Sequence, residues 1–196
     1  MILEERISLI LAKKDLRLVT DFSGTIVFGG GPHLGKPVNH VISLLKEMAD
    51  VYGPFGLLER FKEASERLNR DLVEIIYELN LQDVLPPELW IDDGRLYPGN
   101  HRGYRKMVTK LDVHPSKVVV FTDFWLHAAG AIYNGIGSVI LTRPLTTEGK
   151  KKIQEAFDCY RQEILRGVSE ESYLFDIDQR FFVVSGLNRV KIKKGD

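Results

Sequence analysis

Three short stretches of the chain are apolar at nearly every position: Leu16–Phe22 (LRLVTDF), Lys117–Phe124 (KVVVFTDF) and Gly135–Thr142 (GIGSVILT). Strict alternation would mark a strand with one wet face, whereas continuous β-branched runs of this length predict strands covered on both faces, as in a parallel sheet. The helix-compatible WLHAAGAIYN joins the second run to the third, which predicts a strand, helix, strand unit over Lys117–Thr142. Between the first two runs the texture changes. VNHVISLLKEMADVYG and FGLLERFKEASERLNRDLVEIIYELN carry apolar residues at helical spacing with charges interleaved, and predict helices that pack on the sheet or cap it. PPELWIDDGRLYPGN is punctuated by proline and glycine and predicts a hairpin or an extended connection. HRGYRKMVTKLDV and TTEGKKKIQEAFDCYRQEILRG predict helices, and SYLFDI, RFFVVSG and RVKIKK predict terminal strands. The sum is an α/β fold, a doubly wound and mostly parallel sheet, in one domain spanning 1–196.

Charge and composition narrow this picture only slightly. Lys plus Arg and Asp plus Glu both number 27, so no global field draws the chain to nucleic acid or an anionic membrane. Only HRGYRK and RVKIKK speak for nucleic acid, which is therefore not the expected partner. The single cysteine, Cys159, can form neither an internal disulfide nor a cysteine-rich zinc site, and suits a reducing cytoplasm. MILEERISLILAKKD has an apolar stretch too short to span a bilayer and no small-residue cleavage site, which predicts a soluble helix and no membrane partner.

The candidate chemistry lies at two strand ends. In open α/β sheets ligands bind beyond the carboxyl ends of the strands, and two of the buried runs end in acids, Asp21 and Asp123. Adjacent parallel strands would bring the two carboxylates to one crevice, where they suit a hard cation such as Mg²⁺. Gly24 and the residues around Thr25 let backbone N–H groups approach an anion. Alone, Asp21 also reads as a turn-capping residue, His127 as a packing residue, and Arg102 and Lys106 as a solvated basic face. Asp92 and Asp93, before Gly94, read as a tight turn.

LVTDFSGTIV resembles the first motif of the haloacid dehalogenase superfamily, an apolar strand followed by Asp-x-Asp-Gly-Thr. SKVVVFTDFWLHAAGAIYNGIGSVILTRPL resembles that superfamily's fourth motif, and the two segments cover about a quarter of the chain. The resemblance implies a Mg²⁺-dependent hydrolase of small phosphorylated substrates, a phosphatase or a relative, acting through an aspartyl-phosphate. Asp21 would be the nucleophile, Ser23 would stand at the acid/base position, and Asp21, Ser23 and Asp123 would surround the metal. Gly24 and Thr25 would hold the phosphate with Arg102, or with Lys106 in its place. The resemblance also implies a helical cap-like insertion at about residues 37–96. The departures are specific. Ser23 replaces the family's general acid, His127 replaces the second acid of the fourth motif, and no second-motif Ser or Thr or third-motif lysine is evident. These losses open a second expectation, a binding or regulatory protein that retains the fold without turnover.

Overall fold

A computed structural model describes residues 3–13, 15–92, 102–143, 146–167, 181–184 and 190. Its centre is a parallel sheet of β1 (Arg17–Thr20), β2 (Gly56–Glu59), β3 (Trp90–Asp92), β4 (Val118–Thr122), β5 (Ser138–Leu141) and β6 (Phe181–Val183). These strands lie in the order β3-β2-β1-β4-β5-β6, a Rossmann-like arrangement with β1 and β4 side by side at the centre. The two acid-ending runs are thus adjacent and parallel, with Val19 opposite Val120 and Thr20 opposite Phe121.

Period-2 geometry sends successive strand residues to opposite faces. Leu18, Leu57, Val119, Phe121 and Ile140 pack on one side with residues of α1 (Leu3–Leu11), α2 (Val41–Tyr52), α3 (Phe61–Leu68) and α4 (Leu72–Glu78). Val19, Leu58, Val120, Val139 and Leu141 pack on the other with α5 (Arg102–Leu111), α6 (Trp125–Tyr133) and α7 (Thr147–Gly167). With apolar cover on both faces the strands can be continuously apolar, the pattern seen in the sequence.

Two expectations are corrected. Gly56–Glu59, read as part of a helix, is β2, buried at every position and paired with both β1 and β3. Trp90–Asp92, read as hairpin or connection, is β3, parallel to β2. Residues 37–96 are therefore not wholly helical: α2, α3 and α4 alternate with two strands of the main sheet. Asp93, residues 93–96 and the runs SYLFDI and most of RVKIKK lie outside the described residues. Cys159 falls within α7. Among the described residues no helix is long and apolar enough to cross a membrane.

Candidate functional site

Asp21 follows β1 directly and Asp123 follows β4, so both stand at the carboxyl edge of the sheet where its two central strands end. The Asp21 amide still bonds to Phe121 O on β4, after which the chain leaves the sheet. A tight turn follows, with Ile26 N and Val27 N both donating to Phe22 O and Gly24 N to Val27 O. A hairpin succeeds it, closed by Phe28 N on Lys36 O and Gly35 N on Phe28 O.

Asp21 is buried, and its two oxygens differ. Oδ2 accepts from Thr122 Oγ1 at 2.5 Å and lies 3.3 Å from His127 Nδ1. Thr122 is itself oriented by accepting Phe124 N at 3.1 Å. Oδ1 is buried without a hydrogen-bond partner among the described residues, and so is Ser23 Oγ. Such groups are costly unless something outside the protein satisfies them.

Asp123 pairs with Arg143 Nη1 at 3.2 Å. Burial, and next the charge of Asp21, push its carboxyl up from 3.8 to about 7, against the opposing charges of Arg143, His127 and Arg67. The folded protein thus binds this proton more tightly than the unfolded chain. The stabilisation is complete below about pH 4 and is lost as pH rises through about 7. In metal-free buffer at pH 8 Asp123→Asn is expected to be more stable than wild type by roughly 2–3 kcal/mol, the gap closing near pH 4. Urea denaturation at several pH values checks this.

Gly24 is held at φ +100°, and a Cβ there would lie 2.1 Å from Asp123 Oδ2. Both the backbone conformation and the carboxylate exclude a side chain. Gly24→Ala is expected to cost about 2–4 kcal/mol, read as a lowered urea midpoint.

Glu59, at the end of β2, is one of the residues that sequence reasoning missed. The register pairs Thr20 with Leu57, so Glu59 falls level with Phe22, where β1 has already turned away. Its Oε2 accepts both Phe22 N, at 3.1 Å, and Ser23 N, at 3.0 Å, while Oε1 accepts Arg60 N. Burial first, then the Asp21 charge, raise its carboxyl above the ordinary range.

The sequence-predicted residues divide. Asp21, Ser23, Gly24 and Asp123 converge, and His127 joins them through Asp21. Thr25 is buried nearby, its hydroxyl 3.4 Å from that of Thr142 at the end of β5. Arg102 and Lys106 are exposed on α5. Among the described residues, the side chains paired with Asp21 and Asp123 are Thr122, His127 and Arg143, not these two.

A divalent cation suits the site. Asp21 Oδ1 and Ser23 Oγ are unsatisfied oxygens, and Asp123 is driven toward its neutral form first by burial and then by the charge of Asp21. Among the described residues no three His, Cys, Asp or Glu side chains form a ready ligand set. Two carboxylates and water are nonetheless a usual Mg²⁺ environment. No protein-family model matches the chain, and no curated protein matches it.

Proposed function

We propose that the chain is a haloacid dehalogenase-like hydrolase, active in the cytoplasm, in which Asp21 accepts a phosphoryl group from a small phosphorylated substrate. The observation that carries this reading is the asymmetry of Asp21. One oxygen is fixed by Thr122 and His127, and the other is buried without a partner at the carboxyl end of a central strand. Bound Mg²⁺, held by Asp21 and Asp123 with Ser23 as a neutral donor, would offset charge on the phosphoryl oxygens.

Asp21 Oδ1 forms the bond to phosphorus as the substrate's P–O bond breaks and the leaving group takes the electron pair. Water then attacks phosphorus, releasing orthophosphate and restoring the Asp21 carboxylate, while the water's proton passes to solvent. Ser23 cannot supply or take a proton as a carboxyl would near neutral pH, and that assistance is typically worth about 10²–10⁴ in rate. The first step is thereby confined to leaving groups stable as anions, such as a nitrophenolate or a carboxylate. The second step is slow, so the aspartyl-phosphate persists.

The charges of Arg143 and Arg67 reach Asp123, which makes these residues better candidates for steering a phosphate than Arg102 or Lys106. Arg67 lies on α3, and a Cβ on Gly35 of the hairpin would come within 4.0 Å of Leu68 on the same helix.

The second reading, a phosphate-site protein without turnover, is favoured by Glu59, a second buried carboxylate close to Asp21. Steady-state hydrolysis of p-nitrophenyl phosphate and of an acyl phosphate, with Mg²⁺ or with chelator, separates the two. Weak turnover lost with chelator supports the hydrolase, and no turnover of either substrate supports the second reading.

A further inference from the structure

The backbone amides of Phe22 and Ser23, two successive N–H groups, converge on a single oxygen, Glu59 Oε2. Converging successive amides form a concave anion site, and this one is built from the two residues that follow Asp21, whose Oδ1, like Ser23 Oγ, is buried without a hydrogen-bond partner among the described residues. We propose that Glu59 is a built-in occupant of this amide pair, which keeps a phosphate oxygen off these two amides, though not away from Asp21, until the carboxylate is withdrawn or replaced. The choice of phosphate as the excluded anion rests on the phosphoryl-transfer reading above.

Three features make Glu59 a strong occupant. It is carried on β2, a strand paired on both sides, whose register sets it level with Phe22. Its second oxygen is anchored by the Arg60 amide at 3.0 Å, so the carboxylate is held at both ends. It is buried and tethered, so an external anion competes against a very high effective concentration.

The arrangement differs from a loop brace in what happens when it is removed. A brace, once lost, leaves a looser loop. An occupant, once lost, leaves an empty anion site.

The test is a titration of the ¹⁵N-labelled full chain with inorganic phosphate in the presence of Mg²⁺, following the Phe22 and Ser23 amide resonances. Wild type is expected to show no saturable shift at millimolar phosphate. Glu59→Ser, which withdraws the carboxylate, is expected to show a saturable shift at both amides, with affinity at least about tenfold tighter. Glu59→Gln, of the same shape, is expected to show a saturable shift at the same amides, at higher phosphate than Glu59→Ser, because its neutral oxygen is a weaker competitor than a carboxylate. Should Glu59→Ser lose its amide dispersion and fail to fold, Glu59→Gln decides the matter alone. The proposal is overturned if neither variant binds phosphate more tightly than wild type, or if wild type binds phosphate at these amides with Glu59 in place. Turnover is measured separately, in the hydrolysis assay above. An inert enzyme whose variants gain phosphate binding refutes the hydrolase and leaves this proposal standing. An active wild type with phosphate on the two amides does the reverse.

Discussion

Asp21→Asn is expected to lower Mg²⁺-dependent turnover of an acyl phosphate or p-nitrophenyl phosphate by at least about 10³-fold, with no loss of stability. The carboxamide keeps the shape of the side chain and can still accept the Thr122 hydroxyl, so the strand end and the following turn have no reason to move. What is lost is the anionic oxygen that must bond to phosphorus. A purely electrostatic role for Asp21 would leave much of the rate, since Asp123 and Glu59 remain. Side-by-side kcat/KM values for wild type and variant, with melting curves as the control, measure the effect.

Ser23→Asp is expected to raise turnover of alkyl phosphates by about 10²–10⁴, and of activated phosphoesters far less. An alkoxide needs a proton as it leaves, and a nitrophenolate does not. The site is suited to a proton donor at this position. Ser23 is buried, Glu59 and Asp21 are close, and the introduced carboxyl would be pushed up by burial and like charge, holding its proton near neutral pH. The variant should also shorten the life of the aspartyl-phosphate, because the same carboxyl, once ionised, accepts a proton from the attacking water. Equal stimulation of both substrate types would mean that proton transfer is not what Ser23 limits.

The parts of the fold legible in the sequence are those where one signal acted alone. LRLVTDF and KVVVFTDF are short, rich in β-branched residues and apolar almost throughout, the mark of strands covered on both faces, and both end in an acid, so β1, β4 and their adjacency were readable, and with them the pairing of Asp21 and Asp123. GLLE was not readable as β2. It has four residues and runs straight into the 3.6-residue period of α3, and only its pairing between β1 and β3 makes it a strand. Losing β2 hid Glu59, although GPFGLLE, a glycine-proline break and an apolar run ending in an acid, repeats the form of LRLVTD. Thr122 and Arg143 were missed for another reason. Both lie at strand ends, but which of the many polar residues at strand ends turns toward Asp21 or Asp123 is set by packing rather than by spacing. Arg102 and Lys106 were chosen by their order in the chain, and the amphipathic α5 leaves both exposed.

The central claim is that a phosphoryl group passes to Asp21, and the persistence expected of the product makes it open to capture. Wild-type protein is mixed with Mg²⁺ and an acyl phosphate, quenched in acid, reduced with borohydride, digested and analysed by peptide mass spectrometry. Reduction of an aspartyl-phosphate leaves homoserine. The account predicts homoserine at position 21, dependent on Mg²⁺ and absent from Asp21→Asn. Turnover of the acyl phosphate with position 21 unmodified, or with the mark on Asp123 or Glu59 instead, would contradict it.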